Sequence, residues 1–129
     1  MASANISTPH DLRNALGRDA SIDVLRQLIA GVSPAVLVTD RMGRYVAANE
    51  AACRLTGYTM KELLKKALPD LTGPVDDEVA DVLWRGFVDH GQQTGEFSIK
   101  RKDGSTISVR YDALANVLPG LHVTFLTPV

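Results

Sequence analysis

The chain has 129 residues, enough for one domain with a single core and too few for a second substrate-binding lobe. It is 45% hydrophobic and 22% charged, with 14 basic against 15 acidic side chains, which argues against a disordered tail and against a nucleic-acid-binding field. No apolar run approaches the roughly 18 to 20 residues that span a bilayer, and Met1-Ala-Ser-Ala-Asn5 lacks the pattern of a leader, so a cytoplasmic, membrane-free chain is expected.

Residues 1 to 20 read as a mobile arm that admits a short helix from Pro9 to Leu16, capped by Thr8 and ended by Gly17. Ser21 caps a segment in which Val24, Leu25, Leu28, Ile29 and Val32 recur at helical spacing, closed by Gly31 and Pro34. Residues 21 to 33 are therefore a flanking amphipathic helix. Ala35 to Thr39 and Arg44 to Ala48 are two strands joined by the turn Asp40-Arg-Met-Gly43.

Asn49 can cap a helix from Glu50 to Leu55 that Gly57 ends, and Thr59 with Glu62 forms a capping box that starts another, Met60 to Lys66. Leu68-Pro69-Asp70-Leu71 reads as a connecting turn. From Val75 to His90 a stripe of Val79, Val82, Leu83 and Phe87, with Asp76, Asp77 and Glu78 in the first turn, predicts the longest helix. Glu96 to Arg101 and Thr106 to Ala115 alternate as strands about a two-residue turn, Asp103-Gly104, and Leu121 to Leu126 is a fifth strand. This order predicts an α+β domain in which helices cover one face of an antiparallel sheet.

Asp40-x-x-Gly43, Asn49-x-Ala51, Gly57-Tyr58-Thr59-x-x-Glu62-Leu63 and Lys102-Asp103-Gly104, in that order and spacing, resemble a PAS domain over residues 34 to 127. Two positions depart from the family pattern: Lys65-Lys66 stands where a glycine precedes the lysine, and Thr127-Pro128-Val129 replaces the Asp-Ile-Thr exit motif. The resemblance implies a PAS fold of five antiparallel strands with helices, and a sensory role.

Strict alternation places Ala35, Leu37, Thr39, Phe97, Ile99, Ile107, Val109, Tyr111, Leu121, Val123 and Phe125 beneath the helices. Val36, Val38, His122 and Thr124 fall on the opposite face. The resemblance puts a ligand pocket between the sheet and the long helix, lined by Leu37, Thr39, Leu83, Phe87, Phe97, Ile99, Val109, Tyr111, Val123 and Phe125. Only Thr39 and Tyr111 offer polar handles, so a small, largely apolar ligand fits better than a charged cofactor, and a filled core without ligand is the other reading.

No cofactor is expected. The flavin-binding cysteine motif of the family is missing after the first helix pair, and haem ligation by His90 at a helix end is disfavoured, with His10 and His122 weaker still. The lone Cys53 excludes an internal disulfide and reads as a small hydrophobe. No nucleophile–base set, phosphate loop or metal-ligand spacing appears, so enzymatic activity is not expected.

Two functions fit. One is a signal-input domain that relays conformation to an output domain, which the resemblance implies to be a histidine kinase, a cyclic-dinucleotide enzyme or a transcription regulator. The other is a ligand-free dimerisation or scaffold module, a homodimer through Val24, Leu25, Leu28 and Ile29 of the flanking helix and through the sheet.

Overall fold

Hydrogen bonds between near neighbours in the chain start most of the helices. Thr8 and Asp11 form a reciprocal capping box at α1 (Pro9–Ala15), and the Ser21 hydroxyl accepts from the Val24 N–H at α2 (Ile22–Ala30). Asn49 caps α3 (Glu50–Thr56), which Gly57 ends in the left-handed region at φ 81°. Thr59 and Glu62 form a second capping box at α4 (Met60–Leu63).

The structure, a computed structural model, describes residues 6–17, 20–72 and 77–129, with the backbone alone at Asp77, Val79 and Ala80. The segment expected to be a turn after α4 is instead a helix, α5 (Leu68–Thr72), with Pro69 in its first turn and the Ala67 N–H donating to Asp70 Oδ2 at 2.8 Å. The longest helix is α6 (Asp77–His90); its expected start at Val75 and Asp76 lies outside the described residues.

Five strands, β1 (Ala35–Thr39), β2 (Tyr45–Ala48), β3 (Gln92–Lys100), β4 (Thr106–Leu118) and β5 (Leu121–Pro128), pair antiparallel in the order β2-β1-β5-β4-β3. The expected α+β PAS fold is the observed one. Strands β3 and β4 are joined by residues 101–105 rather than by two residues: the Arg101 N–H bonds Ser105 O across Lys102-Asp103-Gly104, and the Gly104 N–H bonds Arg101 O.

The sheet is covered on both faces. On the inner face Ala35, Leu37, Tyr45, Ile99, Val109 and Leu126 pack with Ala52 of α3, Leu63 of α4 and Leu71 of α5. On the outer face Val36, Val38, Leu114, Val123 and Phe125 pack with Leu12 of α1 and with Leu25 and Ile29 of α2. Helices α1 and α2 thus contribute to the core, and Ile6, expected in a mobile arm, packs against the same cluster.

This double cover overturns the expected inner placement of Leu121, Val123 and Phe125. Register pairs Leu37 with Thr124 and Thr39 with His122, so His122, Thr124 and Leu126 of β5 face inward and the intervening Val123 and Phe125 face α1 and α2. With apolar groups needed on both faces, alternation stops reporting which side is in.

The β3–β4 loop docks on the turn between α3 and α4. The Lys102 N–H donates to Thr56 O at 2.9 Å, and Lys102 Nζ lies 3.1 and 2.8 Å from the two Glu62 oxygens. Lys102, and then the Thr59 N–H, holds the Glu62 carboxyl at about 2 against its ordinary 4.5. A folded-state value below the unfolded one means stabilisation that is complete above about pH 4.5 and lost as the pH falls towards 2. Glu62→Gln is therefore expected to melt below the parent at pH 7, with the gap narrowing from about pH 4.5 towards pH 2; a gap constant across that range in thermal unfolding contradicts the pairing.

Candidate functional site

The inner face holds a small, partly open cavity of about 20 Å³, bounded by Leu37, Tyr45, Leu68, Leu71, Thr72, Phe97, Ile99, Thr124 and Leu126. A site of that size accommodates about one water molecule. The sheet supplies its floor through β1, β2, β3 and β5, and the short α5 is its roof.

Three of the expected lining residues, Leu37, Phe97 and Ile99, are there. Val109 is fully buried beside them on the inner face without bounding the cavity. Thr39 is buried further along β1, opposite His122. The Tyr111 ring lies across Gly95, its partner on β3, where an added Cβ would sit 2.9 Å from Cε1, and meets Phe97 edge-on at 5.2 Å. That position needs glycine because the ring occupies the space of a side chain.

Val123 and Phe125 belong to the outer core and do not line the site. Leu83 does not line it either: it is 56% exposed, and Val82 is 70% exposed, while Val79 is outside the described side chains. Helix α6 is rotated from its expected orientation, so Trp84, Phe87 and Val88 meet Ala113 and Ala115 of β4 in a separate cluster. The stripe chosen from spacing missed this because Trp84 also fits a three-and-four pattern with Phe87 and Val88.

Sequence reasoning missed Tyr45, Leu68, Leu71, Thr72, Thr124 and Leu126. The signal for the α5 group was Pro69 followed by Asp70, residues that open a helix as readily as they make a turn. Burial, and then the Asp70 carboxylate, pushes the Tyr45 phenol above its ordinary value of 10.0, so its hydroxyl remains protonated and able to donate.

His122 is buried, not on an open face. Its ring meets Trp84 and Phe87 edge-on at 5.2 and 5.5 Å, and its Nδ1 accepts from the Asn116 N–H at 3.0 Å. Asn116 reaches this position in the left-handed region, φ 54°, within the irregular register between Leu114 and Leu118. Burial lowers the His122 pKa from 6.5, keeping the ring a neutral acceptor. His90 is exposed at the end of α6, and His10 bonds Gln92 at 2.9 Å. Cys53 is half-buried against the inner core, and burial raises its thiol pKa.

The α2 residues divide: Leu25 and Ile29 are buried in the outer core, Leu28 is partly buried against it, and Val24 is 37% exposed. Leu25 and Ile29 therefore face the chain's own sheet in place of a second copy. No helix among the described residues is long and apolar enough to cross a membrane.

The family model for the PAS fold matches residues 24–118. Among solved structures, a PAS domain of an HTR-like protein from Haloarcula marismortui is 24% identical, covering 84% of this chain and 91% of that one at a TM-score of 0.70. A domain of a sensory box sensor histidine kinase/response regulator from Geobacter sulfurreducens is 22% identical, covering 81% and 91%, at 0.68. The PAS domain, in complex with ethanol, of a LuxR-family transcriptional regulator from Burkholderia thailandensis is 13% identical, covering 80% and 95%, at 0.64. No curated protein matches the sequence.

Proposed function

The chain belongs to the PAS family, whose members are sensory modules of signal-transduction proteins, and from that premise we propose that it is a signal-input domain for a small, largely apolar ligand. Its output, by this reading, is a kinase, a cyclic-dinucleotide enzyme or a transcription regulator in the same or another chain.

One observation carries the proposal: the small cavity under α5 is walled by Leu37, Leu71, Phe97, Ile99 and Leu126, with the hydroxyl side chains of Tyr45, Thr72 and Thr124 among them. Such walls welcome a few carbon atoms with one hydroxyl or carbonyl, and the Burkholderia thailandensis domain is named with ethanol. Anything larger than about one water must lift α5 from β3. A five-residue helix has little stability of its own, so its position depends on packing that the ligand alters. That displacement is the signal. A charged cofactor would leave polar groups unpaired against these walls.

A panel of short alcohols, ketones and aldehydes tests this by thermal unfolding. At a hundredfold excess over Kd a true ligand stabilises by about 2.7 kcal/mol, a rise of roughly 10 °C in Tm, and Leu71→Phe, whose added volume matches the cavity, abolishes it. No shift across the panel, with a concentration-dependent dimer in sedimentation, would favour the ligand-free dimerisation module instead. For that module, of the four candidates on α2, Val24 and part of Leu28 are left to offer a copy.

A further inference from the structure

Helix α6 rests on β4 through Trp84, Phe87 and Val88, while Val82 and Leu83 of the same helix are exposed. The His122 ring belongs to this anchorage, since Trp84 and Phe87 both meet it edge-on. The cluster is separate from the two larger ones, so α6 can move while those stay packed.

His122 also holds the backbone of β4. With its proton on Nε2 the ring has one basic lone pair, at Nδ1, and the Asn116 N–H donates to it at 3.0 Å. Asn116 is the one non-glycine residue, among those described, with a positive φ, and its Oδ1 accepts from the Gly120 N–H at 3.0 Å. Two bonds thus support the irregular stretch between Leu114 and Leu118 in a conformation that L-residues rarely adopt.

A proton can enter the imidazole only where the Asn116 N–H already sits, and imidazolium would set two N–H donors against each other. The groups packed on the ring are uncharged: Trp84 and Phe87 from α6, Asn116 from β4, and Thr39 opposite it on β1. Burial opposes the charged ring first of all; then, from the turn between β1 and β2, Asp40 favours the proton and Arg41 opposes it. The Asp40 carboxylate is engaged within its own turn by the Met42 and Arg44 N–H groups and the Arg44 guanidinium.

We propose that the domain is acid-responsive: a proton taken up at His122 Nδ1 expels the Asn116 N–H, frees the corner between β4 and β5, and releases the C-terminal half of α6 from the sheet. This input is independent of the cavity under α5, whose walls include none of these residues.

The folded-state pKa of His122 lies below 6.5, so the contribution of the neutral ring is complete above about pH 6.5 and is lost as the pH falls below it. In urea unfolding the folded-to-unfolded ratio should drop by up to about tenfold per pH unit from there to the pKa of the folded ring. His122→Asn, whose side-chain oxygen can accept the same N–H without titrating, is expected to be less stable at neutral pH but flat across that window. In NMR spectra of the full chain taken from about pH 7.5 to 5, the His122 ring, the Asn116 and Gly120 amides and residues 84–91 should shift along one titration curve, with the Val36 and Ile99 amides unmoved. An equal pH dependence in His122→Asn assigns the effect to other groups and overturns the proposal. A ring that titrates while Asn116 and α6 keep their places overturns it, and so does a parent that responds to acid only by global unfolding.

Discussion

Asn49→Ala is expected to destabilise the domain by about 3–5 kcal/mol, several times the cost of losing an ordinary helix cap, which is about 1 kcal/mol. The side chain is almost completely buried at the meeting point of three elements. Its Oδ1 accepts from the Ala52 N–H of α3 at 3.0 Å and from the Val36 N–H of β1 at 2.9 Å. Its Nδ2 donates to the carbonyls of Ile29, Val32 and Pro34 at 3.1, 3.1 and 2.8 Å.

Alanine removes the cap and strands several backbone groups where water cannot replace the amide. Asn49→Asp should be at least as damaging at pH 7, because it sets a carboxylate against three carbonyl oxygens. Against a total stability of about 5–15 kcal/mol, either change approaches unfolding at 37 °C. Urea titration reads the effect, and a loss of only about 1 kcal/mol would mean that Asn49 acts as a cap and nothing more.

The second large effect concerns α2. Leu25→Ala and Ile29→Ala are each expected to cost about 2–5 kcal/mol, the range for a fully buried aliphatic side chain whose removal leaves a cavity. Removing residues 1–32 should do more, since it uncovers Val36, Val38, Val123 and Phe125 together. An apolar sheet face of that kind aggregates or opens the domain. If the shortened chain stays monomeric and melts with the parent, the N-terminal helices are an accessory and the outer core is not needed. The comparison separates a helix that completes its own domain from one that serves to pair two copies.

Most elements whose defining bonds lie within four residues were legible in advance, α5 with its Ala67–Asp70 bond being the exception. Asn49 to Ala52, Thr59 with Glu62, and glycine at 43, 57 and 104 each set a helix start or turn by contacts that need no distant partner. The order of the strands' chain segments followed from these, as did the PAS resemblance. The errors of facing, in β5 and α6, share one cause. In Leu121-His-Val-Thr-Phe-Leu126 apolar residues fall on both parities, and in α6 two apolar stripes compete. Which one faces inward depends on what covers it.

Composition, caps and turn glycines were therefore enough to define a single α+β sensory-fold domain and to place most of its element boundaries. The folded chain alone decided that α1 and α2 close the outer face of their own sheet, so that Leu25 and Ile29 are core residues and His122 and Thr124 point inward. It alone brought Lys102 onto Glu62 and Thr56, joining two motifs that are 40 residues apart in the chain. It also shrank the expected pocket to about 20 Å³ and set the Asn116 N–H on the His122 ring. Capping energies are local and so are written in the chain, whereas burial is a property of surfaces that meet only after folding. A period-two pattern names the buried face only when the other face is wet.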